Sequence, residues 1–77
     1  MSPSKKVISI VIPVFNEDQN IQTLAESILM VINPLPYFFE LFFIDDGSND
    51  QTVEKIRGLL HKDKRVWLIF LSRNSGH

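Results

Sequence analysis

The sequence predicts an α/β fold in which three parallel strands alternate with two helices, in the order β-α-β-α-β. Three short runs of β-branched and aromatic residues are apolar on both faces, which is typical of buried strands in a parallel sheet. Between them, apolar residues recur at helical spacing. Because right-handed crossovers join consecutive parallel strands, we expect three adjacent strands that form half of a doubly wound sheet.

The first strand and first helix are predicted within residues 6–33. The run "KVISIVIPVF" covers residues 6–15 and predicts the strand. Asn16, with Gln19 three residues later, predicts the N-cap of the helix. The helix should end near Asn33, because Pro34 disfavours the α conformation in the residue before it. Its buried stripe should comprise Ile21, Leu24, Ala25, Ile28 and Ile32.

The second strand, second helix and third strand follow without a linker. Residues 41–44 predict the strand, and "GSND" at 47–50 offers Ser48 and Asp50 as caps for the helix. The third strand is predicted from "VWLIFLS", residues 66–72. The buried stripe of the second helix should comprise Val53, Ile56, Leu59 and Leu60.

The chain has 77 residues and no cysteine, so neither a disulfide framework nor a thiolate zinc site can stabilise it. One core of this size buries only about 60% of the surface of the unfolded chain. The apolar fraction of 44% is high for so small a unit with a polar surface. We therefore expect a fragment of a larger domain.

Several function classes are disfavoured by composition and motifs. The net charge of −1 and the scattered basic residues leave no footprint for nucleic acid. No apolar run approaches the about 20 residues of a membrane span, and the polar start does not resemble a signal peptide, so a cytoplasmic location is expected. Neither of the glycine-rich phosphate-binding motifs, G-x-G-x-x-G and G-x-x-x-x-G-K-[ST], occurs, which disfavours the usual dinucleotide-binding fold and a P-loop enzyme. A nucleophilic serine in a G-x-S-x-G turn is also missing.

In an open parallel sheet, ligands bind beyond the carboxyl ends of the strands, which here are residues 13–17, 45–48 and 72–77. Asp45 and Asp46 are adjacent, so in a strand they point to opposite faces and cannot form a metal site by themselves. A carboxylate only accepts hydrogen bonds. Its donors could be a nucleobase, a ribose hydroxyl or the first turn of the second helix, and both the functional and the structural alternatives stay open.

Three motifs in order resemble the start of a family 2 glycosyltransferase with the GT-A fold. They are "VISIVIPVFNE", "LFFIDDGSNDQT" and "LSRNSGH". The likeness is strongest to the polyprenyl-phosphate branch, the dolichyl- or undecaprenyl-phosphate mannosyl- and glucosyltransferases. It implies that the chain is the N-terminal, three-stranded half of a Rossmann-like nucleotide-binding domain whose remainder is missing. It also implies that the full protein transfers a sugar from a UDP- or GDP-sugar to a lipid phosphate.

The resemblance also implies roles for individual residues. The ring of Phe15 would flank the base, and Glu17 would meet the ribose or base. Asp46 would accept the N–H of the base, with Asp45 orienting the turn. Core packing is the alternative for Phe15, and a solvated strand end is the alternative for Arg73. The implied nucleotide-sugar-binding residues are Pro13, Phe15, Glu17, Asp45, Asp46, Arg73, Asn74 and Gly76.

Arg73, Asn74 and Gly76 match the family's R-N-x-G loop near the nucleotide. The family's D-x-D-type motif, which holds Mg²⁺ or Mn²⁺ on the diphosphate, and its catalytic base both lie downstream of this loop. We therefore expect the full-length enzyme to use a divalent metal, and residues 1–77 to bind none and to be inactive, because the charge on the leaving diphosphate must be neutralised. With strand order 3-2-1, the edge of the first strand would be exposed, and self-association through it is a hypothesis.

Three other interpretations compete with this one. A haloacid-dehalogenase phosphatase has an acidic pair separated by one residue, whereas Asp45 and Asp46 are adjacent and Ile44 fills the nucleophile's place. A receiver domain needs an acidic pair after the first strand, where Asn16 and Glu17 stand. The non-enzyme alternative is a small nucleotide-binding or structural module without catalysis.

Overall fold

The computed structural model describes residues 6–71. The predicted order β-α-β-α-β is confirmed, and all three strands are parallel, in the spatial order β1-β2-β3. Neither helix of this part of the chain is long and apolar enough to cross a membrane. The elements are β1 (Val7–Val14), α1 (Ile21–Ile32), β2 (Phe38–Asp45), α2 (Thr52–Lys62) and β3 (Val66–Phe70).

The core lies between one face of the sheet and the two helices. Phe43 and Leu41 of the central strand are fully buried, as are Ile21 of α1 and Ile56 of α2. Both crossovers lead in the same direction across the sheet, and right-handed connections therefore place both helices on the same face. Burial of apolar area on this face supplies the main favourable term for folding.

The prediction that the strands are buried on both faces is wrong for the described residues. Along β1, exposed and half-buried residues alternate, and Val11 is 59% exposed. The reason is that both helices cover the same side. We call the uncovered side the open face; Phe42 and Trp67 stack on it with ring centroids 6.0 Å apart. The apolar residues of the open face are Val7, Val11, Pro13, Phe38, Phe42, Ile44, Trp67 and Ile69.

The helix α1 starts later than predicted. Asn16 is not its N-cap, because its backbone has a φ of 50° and the helix begins only at Ile21. The carbonyl of Glu17 instead accepts the N–H groups of Asn20 and Ile21 and so closes the first turn. Leu24 is more exposed than the predicted stripe requires. The predicted end is confirmed, with Asn33 as the C-cap.

The second half of the chain differs from the prediction mainly in its boundaries. The strand β2 is longer than residues 41–44, and β3 ends at Phe70 rather than at residue 72. Ile56 is fully buried as predicted, while Val53, Leu59 and Leu60 are half-buried. The Asp63 carboxylate accepts two hydrogen bonds from the Arg65 guanidinium, at 3.0 and 2.7 Å, in the turn before β3.

Candidate functional site

The carboxyl ends of the three strands lie at the same edge of the sheet. Val14 of β1 is opposite Asp45 of β2, and Asp45 is opposite Phe70 of β3. The N–H of Asp46 donates to the carbonyl of Val14 at 3.2 Å. Residues 13–17 and 45–48 therefore meet at one edge, as the sequence predicted. The remaining predicted site residues, Arg73, Asn74 and Gly76, lie outside the described residues.

The carboxylate of Asp45 organises the turn after β2. The residue is 3% exposed, and its Oδ2 accepts the N–H groups of Gly47 and Ser48, both at 3.1 Å. These donors belong to the turn and not to the first turn of α2, so the structural alternative is wrong in that detail. Gly47 has a φ of +85°, a conformation that side chains disfavour. The turn therefore depends on both a glycine and a buried acceptor.

Asp46 lies in a different environment from its neighbour. It is half-buried, whereas Asp45 is buried. Within residues 6–71, no group of three His, Cys, Asp or Glu side chains is placed to hold a metal ion. The described residues thus do not form a divalent-metal site by themselves. The metal of the full-length enzyme stays a prediction, and so does the contact between Asp46 and the nucleotide.

The three predicted residues after β1 differ in exposure. Phe15 is 51% exposed, so the alternative that it packs in the core is wrong. Pro13 is exposed on the open face, and Glu17 is half-buried. An exposed aromatic ring at the carboxyl edge of a sheet has a free face on which a planar base can stack. The roles of Pro13, Phe15 and Glu17 in nucleotide binding remain predictions.

Hydrogen bonds join the loop after β1 to the loop after β2. We call this set of bonds, between residues 16–18 on one side and residues 48–52 and Lys55 on the other, the loop clasp. Asn16 takes part in both directions: its N–H donates to Ser48 Oγ at 2.8 Å, and its Oδ1 accepts the N–H of Asn49 at 2.8 Å. These bonds support the left-handed backbone of Asn16, which a non-glycine residue seldom adopts.

The other half of the loop clasp is built around two aspartates. Asp18 N–H donates to Asp50 Oδ2, and Gln51 N–H donates to Asp18 Oδ2, both at 3.2 Å. Glu17 N–H donates to Thr52 Oγ1 at 2.8 Å. The ammonium of Lys55 donates to the carbonyl of Asp18 at 2.6 Å. Together these bonds satisfy three backbone N–H groups and one backbone carbonyl in parts of the chain that are more than 30 residues apart in sequence.

Sequence reasoning missed the loop clasp because it assigned the same residues to local caps. Ser48 does not cap α2, since its hydroxyl serves Asn16. Asp50 does bind the N–H of Thr52, at 2.9 Å, but its second oxygen crosses to Asp18. The one available signal was that Asn, Asp, Ser and Thr are concentrated in both loops; it predicts hydrogen bonding but does not name the partners.

The loop clasp alters the acidity of Asp50. Burial of the carboxylate raises its pKa, but hydrogen bonds from the Thr52 hydroxyl, the Thr52 N–H and the Asp18 N–H outweigh burial and hold the pKa below the ordinary value of 3.8. In the turn before β3, the hydrogen bond from the Arg65 side chain lowers the pKa of Asp63 despite partial burial. Both carboxylates therefore favour the folded state in their ionised form.

We expect the free energy of unfolding to fall as the pH drops below about 3.8, the ordinary Asp pKa, because Asp50 and Asp63 must then be protonated against their lowered folded pKa values. Urea unfolding measured between pH 7 and pH 2.5 tests this. Asp50→Asn should reduce the loss, whereas Glu26→Gln, at an exposed position of α1, should leave it unchanged. Equal acid sensitivity of Asp50→Asn and the wild type would contradict the assignment.

With the geometry established, comparison with known proteins identifies the family. Residues 9–77 match the family model described as Glycosyl transferase family 2. The chain belongs to this family. The predicted resemblance is thus confirmed, as is the α/β fold with three parallel strands as part of a Rossmann-like GT-A domain, and the phosphatase and receiver-domain alternatives are wrong.

Other members of glycosyl transferase family 2 resemble the chain over most of its length. An uncharacterized glycosyltransferase of Haemophilus influenzae is 41% identical over 91% of the chain and 27% of its own length. An undecaprenyl-phosphate 4-deoxy-4-formamido-L-arabinose transferase of Photorhabdus laumondii is 35% identical over 92% of the chain and 22% of its length. A dodecaprenyl-phosphate galacturonate synthase of Rhizobium johnstonii is 33% identical over 90% of the chain and 21% of its own length. The chain spans only about a quarter or less of these relatives.

Proposed function

We propose that the chain is the N-terminal nucleotide-binding part of a glycosyltransferase domain, and that the full-length protein transfers a sugar from a nucleotide-sugar donor to a polyprenyl phosphate. The observation that carries this proposal is the family match over residues 9–77. Relatives named for undecaprenyl-phosphate and dodecaprenyl-phosphate support a lipid-phosphate acceptor. We propose a location in the cytoplasm or at the cytoplasmic face of a membrane, where such a donor and acceptor can meet.

The arrangement at the sheet edge supports a nucleotide as the ligand of this part. The exposed ring of Phe15 offers a stacking surface, and Asp46 offers a carboxylate that can accept N–H groups of a base. Asp45 holds the turn that carries Asp46, through its bonds to Gly47 and Ser48. A base bound there would thus contact Phe15 and Asp46, whose loops are already held by hydrogen bonds before binding.

Catalysis needs groups beyond those described. A departing nucleoside diphosphate carries negative charge, which a divalent cation such as Mg²⁺ or Mn²⁺ would neutralise in the full-length enzyme. Because residues 6–71 hold no group of three His, Cys, Asp or Glu side chains placed for a metal ion, we propose that ligands for that cation come from further along the full-length protein. We accordingly propose that residues 1–77 alone transfer no sugar.

Titration of the full-length protein with UDP- and GDP-sugars, with and without Mg²⁺ or Mn²⁺, tests the donor. Incubation of the preferred donor with undecaprenyl or dolichyl phosphate then tests the acceptor, through formation of a lipid-linked sugar. Saturable binding with transfer supports the proposal. Binding without transfer to any acceptor would favour the non-catalytic module instead, and transfer by purified residues 1–77 would contradict their proposed inactivity.

We also propose that residues 1–77 self-associate through β1. This strand is at the edge of the described sheet and contains no charged residue from Val7 to Val14, and unpaired uncharged edges are prone to pair with a second chain. Light scattering should show a mass above that of the monomer, and Val11→Lys should lower it. Gln22→Lys, at an exposed position of α1, is the matched control. A monomeric wild type in dilute solution would disprove this proposal.

A further inference from the structure

Thr52 is a fully buried polar residue at the start of α2, with 0% of its surface exposed. Its hydroxyl accepts the N–H of Glu17 at 2.8 Å and donates to Asp50 Oδ1 at 2.5 Å. Its own N–H donates to the same oxygen at 2.9 Å. One threonine therefore joins the start of α2 to the backbone of the loop after β1.

Asp50 fixes the direction in which the Thr52 hydroxyl bonds. An ionised carboxylate only accepts hydrogen bonds, so the hydroxyl hydrogen must point to Asp50 and the oxygen lone pairs remain for the N–H of Glu17. The other oxygen of Asp50 accepts the N–H of Asp18. Two consecutive N–H groups of the loop after β1, those of Glu17 and Asp18, are thus held by this pair of side chains.

The backbone of Glu17 is held from both sides. Its N–H is bound by Thr52, and its carbonyl accepts the N–H groups of Asn20 and Ile21 at the start of α1. The segment from Phe15 to Glu17 is therefore tied to the loop that follows Asp46. The placement of this segment relative to Asp46 therefore depends on backbone hydrogen bonds, and the side chains of Phe15 and Glu17 take no part in them.

We propose that Thr52 and Asp50 are positioning residues that set the distance between the loop carrying Phe15 and Glu17 and the turn carrying Asp46, and so determine the affinity for the nucleotide. This inference rests on the proposed function. Neither Thr52 nor Asp50 needs to touch the ligand for this effect. A displacement of about 1 Å in a group that does touch it is enough to weaken an oriented interaction strongly.

Thr52→Val tests the inference, because it keeps the branched shape and removes the hydroxyl. We expect the Kd of the full-length protein for its nucleotide sugar to rise roughly 5- to 50-fold. The KM for the donor should rise similarly, while kcat changes less. Thr52→Ser, which keeps the hydroxyl, should restore most of the affinity. Asp50→Asn, which keeps the size of the side chain, should change Kd in the same direction as Thr52→Val.

Ile56→Val separates positioning from stability, since this fully buried residue lies one turn further along α2 and takes no part in the loop clasp. It should destabilise the fold without changing Kd under conditions where the protein is fully folded. If the wild type binds a sugar nucleotide and Thr52→Val binds it equally well, the inference is wrong and the proposed function stands. If the wild type binds no sugar nucleotide, the proposed function is wrong and the inference fails with it.

Discussion

Asp46→Asn should weaken binding of the nucleotide sugar by about 1–3 kcal/mol, if the carboxylate accepts a hydrogen bond from the base. The substitution keeps the size of the side chain and removes its charge. It also replaces one acceptor oxygen by an amide NH₂ group, which can only donate. Isothermal titration of the full-length protein with its preferred donor measures the change directly.

The chain offers a matched control for this substitution. Glu26→Gln makes the same chemical change at an exposed position of α1, and it should leave the affinity unaltered. Because Asp46 is half-buried, the unfolding midpoint of Asp46→Asn must be checked alongside its affinity. A folded Asp46→Asn variant with wild-type affinity would remove Asp46 from the nucleotide site.

Phe43→Ala should lower the free energy of unfolding by about 3–5 kcal/mol, the range for aromatic residues truncated in a core. Phe43 is fully buried in the central strand β2, on the face of the sheet that the helices cover. Alanine would leave a cavity that the surrounding strands cannot close, since they are held by the sheet hydrogen bonds. Urea unfolding, monitored by circular dichroism, measures the loss in the free energy of unfolding.

Phe38→Ala is the control for the core substitution, because Phe38 belongs to the same strand but is 57% exposed. We expect its cost to be well under half that of Phe43→Ala, since much of its area stays in contact with solvent in the folded state. Similar losses for the two variants would mean that the open face contributes to stability as much as the helix-covered face does.

The two faces of the sheet show where sequence reasoning on the strands was sufficient and where it failed. The apolar runs located the three strands, but apolar residues on both faces predicted burial on both, and Val11 and Trp67 are exposed. A strand's composition records that its two faces are apolar. It does not record which neighbouring element covers each face, because that depends on the direction of the crossovers.

The candidate site shows the same division. Its location beyond the ends of β1 and β2 followed from the strand positions alone, and the family match agrees with the motifs found there. The partners of Asn16, Asp50 and Thr52 could not be predicted in this way. Short polar side chains can bond to their own loop or to a distant one, and local spacing favours the helix cap in both cases.

The sequence by itself determined the order of the elements, the approximate positions of the strands and the family, because those depend on periodicity and on short motifs within one segment. Only the tertiary structure decided that Asp45 holds its own turn while Asn16 and Thr52 bind across to the other loop. The physical reason is that a hydrogen bond between residues more than 30 positions apart forms only once the parallel strands have brought both loops to one edge of the sheet.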